Sequence, residues 1–521
     1  MFVLALFFLM FSCLPFIIYW VALEKMPPFY YQGAAAWTYL AVVLATSAFL
    51  LVYLDQWVEL SSDSASLVTR GVYNVFSAIN FEGMFLFNRY TYITSVLIVL
   101  FAFATVFFSK YYVARVRLNF FETPIYVLFA LLGMLMLVYS NNLLLTYVSI
   151  ELQSFAFYLL AASQRKSIAS VEAGIKYLFI GSIGSGLLVL SFSFLYYFFG
   201  TLDVSQIYLL ISFSQTTGGD SFFVTSALFL FIISFFIKLG YAPFHLWVSD
   251  VYEGAPSHAT FFFLVVPKLA MFSVFVRFLH GVFWSPELIH YVDLLILPII
   301  VFSFLFGYTG ALKTGITLKR FYAFSGITHL GFIALPLAYT VSETDAFALD
   351  LTNSVYPVFY YVILYSVITL ASIRFLLNFV SNVDLNSGRQ THYIIENLPG
   401  NYNYSNPAHA LSVFLLIMVF IGIPPTAGFF LKLFPLLSVL MHGQYTFLVF
   451  VVWPFITLSA YVYARLLVVF FFKNVSIWSA RNWKNVSLVD FVSGWLYLFI
   501  VIYLSSYVFQ PNVISMILGL L

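Results

Sequence analysis

The chain has very little charge. Of 521 residues, 8% are Asp, Glu, Lys or Arg, against roughly 25% in a soluble domain. A water-soluble globule is excluded. Cysteine is almost absent as well: Cys13 stands alone, inside the first apolar run. That excludes a disulfide framework and any zinc or iron–sulfur site built from thiolates. No excess of one sign exists, since 22 Lys and Arg face 20 Asp and Glu. A nucleic-acid partner needs a basic footprint, which is missing here. There is no Gly-rich dinucleotide loop and no haem signature. The longer polar stretches, 55–90 and 381–407, are too short for a soluble catalytic domain.

What is present is apolar. Hydrophobic residues make up 63% of the chain, and the mean hydropathy is +1.00. Phe at 64 and Tyr at 37 exceed what packing in lipid demands, and suit an AT-rich organellar gene. No charge precedes Glu24, so the N-terminus is expected to be a retained first span rather than a cleaved leader. Apolar runs fall near 1–22, 34–54, 91–109, 124–140, 142–162, 171–199 and 222–247. Others fall near 257–282, 290–309, 314–340, 354–380, 408–436, 444–472 and 488–510. In lipid an isolated backbone must bond to itself. These runs are too long and continuous for barrel strands. The expected fold is an all-α polytopic membrane protein of about fourteen transmembrane helices, at roughly 20–25 residues per span.

Basic residues support that count independently. Lys25, Lys110, Arg115, Arg117, Arg165, Lys166, Lys313, Lys319, Arg320, Arg374, Arg389, Arg465, Lys473, Arg481 and Lys484 follow odd-numbered spans. Only Arg70, Arg89 and Arg277 fall on the other side. Both termini are then expected outside. Arg277, Arg374 and Arg465 lie toward span ends and are expected to snorkel to the interface.

Five charges lie within spans: Glu151, Lys176, Lys238, Lys268 and Lys432. A charge at mid-bilayer costs about 2.5–3.5 kcal/mol, and such residues usually face the bundle interior and mark ion pathways. Glu151 and Lys268 are about ten residues deep, near the midplane. Lys176 is shallower and within reach of the basic side. Lys238 and Lys432 flank helix breakers. Gly240 and Pro243 follow the first, and Gly422, Pro424, Pro425 and Gly428 precede the second. Proline removes a backbone donor and disrupts the preceding turn. Broken helices at corresponding places in two halves point to the transport site of an inverted-repeat transporter. Spans four to eight and nine to thirteen are the expected five-helix repeats, with one broken helix each. His245, seven residues after Lys238, and His329, inside a span, are candidate proton relays, or else helix–helix hydrogen-bonding groups.

Several motifs carry a family resemblance. They are Ser140-Asn141-Asn142-Leu143-Leu144, Ser149-Ile150-Glu151-Leu152-Gln153-Ser154, Glu172-Ala173-Gly174-Ile175-Lys176-Tyr177-Leu178 and Ala242-Pro243-Phe244-His245-Leu246-Trp247. Asp250-Val251-Tyr252-Glu253-Gly254-Ala255-Pro256, Lys319-Arg320-Phe321-Tyr322-Ala323-Phe324-Ser325 and Ile423-Pro424-Pro425-Thr426-Ala427-Gly428-Phe429 follow in order. Over roughly residues 120–470 the chain resembles the subunit-2 family of NADH dehydrogenase (ubiquinone), antiporter-like membrane subunits of respiratory complex I. Ser257-His258 departs from the Thr-Pro common in that family.

The resemblance implies a core subunit in the membrane arm of a proton-pumping NADH:ubiquinone oxidoreductase. It implies that Glu151, Lys176, Lys238, Lys268 and Lys432 carry proton transfer and coupling, with His245 and His329 as possible relays. NADH, FMN, iron–sulfur clusters and ubiquinone would be used by other subunits, with no cofactor or metal on this chain. Implied partners are neighbouring antiporter-like and small membrane subunits, with lipids such as cardiolipin between them. The implied location is the mitochondrial inner membrane or, alternatively, a bacterial plasma membrane. The expected divisions are 1–120, three N-terminal spans; 121–285, the first repeat; 286–475, the second; and 476–521, a C-terminal span. Two rivals remain: a subunit of a separate cation/proton antiporter, and a non-pumping structural spacer whose lysines only orient neighbours.

Overall fold

A computed structural model describes residues 79–80, 84–115, 122–164, 167–217, 221–281, 283, 286–313, 317–339, 351–381, 407–424, 426–442 and 446–472. The expected spans near 1–22, 34–54 and 488–510, with Cys13, Lys25, Arg70, Arg117, Arg165, Lys166, Arg389, Lys473, Arg481 and Lys484, lie outside the described residues.

Helices in chain order are α1 (Arg89–Arg115), α2 (Glu122–Tyr139), α3 (Leu143–Ala161), α4 (Ile168–Phe199), α5 (Val204–Thr217), α6 (Ser221–Leu239) and α7 (Leu246–Gly254). They continue with α8 (Ser257–Gly281), α9 (Pro286–Leu312), α10 (Leu318–Ala334), α11 (Leu351–Ser381), α12 (Pro407–Ile421), α13 (Ala427–His442) and α14 (Thr446–Phe471). Each expected run from 91–109 to 444–472 contains a helix. Among the described residues, nine helices are long and apolar enough to cross a membrane. The chain is a multi-pass membrane protein.

The structure departs from the expectation in two places. A short antiparallel pair, β1 (Ile79–Asn80) and β2 (Phe85–Leu86), interrupts the all-helical pattern. The α5 helix fills a stretch expected to be a loop. The two interruptions expected beside Lys238 and Lys432 are present: the run 222–247 splits into α6 and α7, and the run 408–436 splits into α12 and α13. Both splits fall where glycine adopts a left-handed backbone: Gly240 at φ 81° and Gly422 at φ 83°. These are helix C-terminal geometries that side chains with a Cβ resist.

The sharp turn between α2 and α3 is held by Asn142. Its side chain accepts from the Leu144 amide at 2.9 Å, capping α3, and its amide donates to Asp203 at 3.1 Å. Backbone bonds join Leu143 to Leu202 and Val204 to Asn141. A two-residue polar turn therefore suffices, because the entry to α5 satisfies its free backbone groups.

Helices α8 and α10 form the centre, each 94% buried over its apolar window. By contrast α4 and α14 are only 39% and 28% buried and form outer walls. Between α6 and α8, Phe231, Phe235, Phe275 and Phe278 interlock, with Phe231 ring centroids 4.6 Å from Phe235 and 5.0 Å from Phe278. Offset and edge contacts of this kind add about 0.5–1.5 kcal/mol per pair beyond burial.

Candidate functional site

Glu151 on α3 and Lys238 in the last turn of α6 form an ion pair at 3.4 Å, with side chains 17% and 9% exposed. Gly184 on α4 makes room for the lysine: a Cβ there would lie 3.3 Å from Lys238 Cγ. The helix stops one residue later. Gly240 and Tyr241 both return their amides to the Phe236 carbonyl, and the Trp247 indole donates to the Ile237 carbonyl at 3.1 Å. These bonds partner backbone groups at the end of α6, as backbone at membrane depth requires.

Lys268 follows Pro267 in the buried α8. Its ammonium donates to the Tyr365 hydroxyl on α11 at 3.1 Å and lies 4.4 Å from that ring's centroid. His329 on α10 is buried, with Nδ1 2.7 Å from the Tyr361 hydroxyl. Lys432 on α13 reaches back across the second break. It donates to the Phe420 and Ile421 carbonyls at 3.0 and 2.7 Å and to Ser459 Oγ on α14 at 2.8 Å. Those carbonyls end α12, where the helix dipole is negative. So one lysine precedes its break and pairs with a carboxylate, while the other follows its break and caps the interrupted helix.

The structure does not gather every candidate. Lys176, expected to point into the bundle, is 42% exposed and bound to Glu172 at 2.7 Å and Asp250 at 3.0 Å. It sits low on α4, where reaching the interface costs less than burial. His245 immediately precedes α7, is buried, and packs on Phe306 of α9 at 5.1 Å between ring centroids. The α6 helix ends before it, so the shared face with Lys238 expected of an unbroken helix does not form.

Arg277 corrects the interfacial expectation. It is buried on α8 and donates to the Val138 carbonyl at 2.9 Å and to the Ser140 carbonyl. These lie at the end of α2, where carbonyls lack helical partners. Arg465, half-buried on α14, donates to the Leu312 carbonyl at the end of α9 at 3.0 Å. The side chain of Arg374 lies outside the described residues.

Sequence reasoning also missed the cluster around α7. Asp250 joins Lys176 to Arg320, the latter at 2.9 Å. Glu253 pairs with Arg320 and accepts from Thr317 at 2.8 Å. Lys319 donates to the Ala255 carbonyl at 2.7 Å. These residues stood in the quoted motifs, but nothing in the sequence placed α7 against the start of α10. Among the described residues, no group of three His, Cys, Asp or Glu could hold a metal ion.

Buried charges beside two interrupted helices in a multi-pass bundle define an antiporter-like membrane subunit. The chain belongs to the NADH:quinone oxidoreductase/Mrp antiporter transmembrane family, whose model matches residues 140–457. It is 31% identical over 409 residues to NADH-quinone oxidoreductase subunit N 1 of Acidiphilium cryptum, covering 78% of this chain and 80% of the relative. It is 33% identical over 364 residues to NADH-ubiquinone oxidoreductase chain 2 of Rhizopus oryzae, covering 69% and 66%. Its fold is similar to a chain of respiratory complex I from Thermus thermophilus, with TM-score 0.70, 20% identity and 96% of each chain covered. A chain of the Mrp complex from Dietzia sp. is similar at TM-score 0.69 and 19% identity, over 91% of this chain and 81% of that one.

Proposed function

We propose that this chain is a membrane-arm subunit of a proton-pumping NADH:ubiquinone oxidoreductase, and that Glu151, Lys238, Lys268 and Lys432 carry protons through it. The observation that carries this reading is the Glu151–Lys238 pair inside an apolar bundle. At about 4 Å and an effective dielectric near 20, such a pair interacts by about 4 kcal/mol. One proton crossing 100 mV costs about 2.3 kcal/mol. Separating the pair therefore changes the proton's energy on the scale that pumping demands. Conformational or electrostatic input comes from quinone chemistry in other subunits, which hold the FMN, iron–sulfur clusters and ubiquinone. His329 is a relay between Lys268 and Lys432, His245 serves the first break, and Lys176 acts from the edge through its acidic partners.

Two five-helix halves, 121–285 and 286–475, organise this path between the N-terminal spans of 1–120 and a last span in 476–521. The arginine caps support the halves. Arg277 on α8 ties the end of α2, and Arg465 on α14 ties the end of α9. Each joins the fifth span of a half to the end of its first. The names of the relatives, each a subunit or chain of a larger oxidoreductase, support other membrane-arm subunits as partners; lipid such as cardiolipin between them is part of the same proposal. They also support a mitochondrial inner membrane or a bacterial plasma membrane as the location.

The test is Lys238→Met in the fully assembled complex, reconstituted in vesicles. Proton uptake per NADH falls and quinone reduction slows, while NADH oxidation by a soluble acceptor survives. A normal ratio and rate would leave the lysine a spacer. A second reading, a subunit of a cation/proton antiporter, is favoured by the likeness to the Mrp complex. It predicts purification without flavin and iron–sulfur subunits.

A further inference from the structure

The α11 helix places two tyrosines one turn apart, Tyr361 and Tyr365, facing the two central proton-carrying candidates. Side chains four residues apart stack on one helix face. Tyr365 takes the Lys268 ammonium on its hydroxyl at 3.1 Å. His329 Nδ1 and the Tyr361 hydroxyl are hydrogen-bonded at 2.7 Å. The His329 and Tyr365 ring centroids are 4.8 Å apart. All four side chains are buried. His329 Nε2 is buried and makes no hydrogen bond among the described residues. Gly326, one turn before His329 on α10, faces the same junction. A Cβ there would lie 3.3 Å from the Tyr365 hydroxyl and 3.4 Å from Lys268 Nζ. The junction is therefore built from Lys268, Tyr365 and His329, with a glycine where any side chain would crowd it.

We infer that the Tyr365 hydroxyl is the proton-transfer group between Lys268 and His329, and that Tyr361 is a positioning residue that fixes the His329 tautomer. This rests on the proton-path reading above. A phenol both donates and accepts, so it can pass a proton and end unchanged. An N–H bond of the Lys268 ammonium breaks as an O–H bond forms on Tyr365. The proton Tyr365 held before goes to His329 Nε2, directly or through one water. Lys268 ends neutral, Tyr365 is restored and His329 carries the charge. In this step Nδ1–H donates to the Tyr361 hydroxyl, which leaves Nε2 without a hydrogen and able to take the incoming proton. Such second partners set which imidazole nitrogen is active.

The experiment uses Tyr365→Phe in the assembled complex in vesicles. Phe keeps the ring over Lys268 and removes the one oxygen. A positioned proton-transfer group is worth on the order of a hundredfold in its own step. The expected result is a lowered proton-to-electron ratio, slower quinone reduction and a solvent deuterium isotope effect above that of the unaltered complex. Adding Tyr365→Phe to Lys268→Met causes no further fall, because the hydroxyl acts only on the proton that Lys268 delivers. Tyr361→Phe slows turnover less and moves its pH profile, since either tautomer of His329 is then populated. Unchanged ratio and isotope effect in Tyr365→Phe, with Lys268→Met defective, overturn the inference. If Lys268→Met itself pumps normally, the proton-path reading has failed before the tyrosine is at issue. A packing defect would show as lost assembly with no rise in isotope effect, and that result also counts against the hydroxyl.

Discussion

Lys238 on α6 and Glu151 on α3 are 87 residues apart in sequence and 3.4 Å apart in space. Neither is left with water as its main partner. Removing one member of a buried pair costs about 3–5 kcal/mol, because the other charge stays buried and uncompensated. Replacing both with neutral groups of similar size is often close to neutral. Glu151→Gln and Lys238→Met should therefore each lower the thermal stability of the assembled complex. The double variant should recover much of that stability but no proton pumping. Melting curves and proton-to-electron ratios on the same three preparations check this. Recovery of pumping along with stability would show that the pair is architectural.

Arg277 holds the end of α2 through the carbonyls of Val138 and Ser140. Hydrogen bonds from a charged donor are worth about 1.5–3 kcal/mol each. Arg277→Met should cost at least about 3 kcal/mol, two such bonds at the lower figure. Arg277→Lys keeps the charge but not the planar fork, and should recover less than half. Thermal melting of the purified complex reads the loss. Protons moved per NADH should stay normal in whatever remains assembled, because this arginine is a tie and lies off the proposed path.

The contrast between Lys238 and Arg277 shows what sequence can and cannot carry. Lys238, Lys268, Lys432 and Glu151 were legible because a charge deep in a span has few cheap explanations. The two breaks were legible because Gly and Pro act locally. Arg277 was misread because depth along a helix is local, whereas its partner is a carbonyl 139 residues away. Tyr365 left no signal, since a tyrosine in an apolar span is ordinary until its neighbour is known to be Lys268. The cluster of Asp250, Glu253 and Arg320 needed α7 to be recognised as a separate helix packed against α10. A break after Lys238 was legible, but not that the chain beyond it forms a helix that carries those carboxylates to α10.

Asp250 is the shared partner of Lys176 and Arg320, at 3.0 and 2.9 Å. All three side chains are about a third or more exposed: 35%, 42% and 44%. Exposed pairs contribute about 0–1 kcal/mol and weaken with salt. Asp250→Asn should therefore shift the melting of the complex only slightly, and the shift should shrink further at high ionic strength. Its effect on turnover should be smaller than that of Lys268→Met. A loss of turnover as deep as that of Lys268→Met would move this cluster from the edge of the mechanism to its centre.

Gly240 supplies the sharpest test of the first break. Its φ of 81° is a conformation that costs an L-residue about 1–2 kcal/mol. A Cβ there would also collide with Val248 Cγ2 on α7. Gly240→Ala must push α7 away or unwind the end of α6. Either shift reaches Lys238, because Trp247 at the start of α7 donates to the carbonyl of Ile237, the residue before it. The variant should assemble with lower thermal stability and slower NADH-driven quinone reduction, although no charged residue has changed. Adding Val248→Ala relieves the collision but not the backbone cost, so it should restore part of the turnover and not all of it. Gly186→Ala is the control. It lies within α4 with nothing within 4 Å of the added Cβ, and alanine there should gain about 0.5–1 kcal/mol of helix stability. If Gly240→Ala behaves like Gly186→Ala, the position of α7 does not govern Lys238.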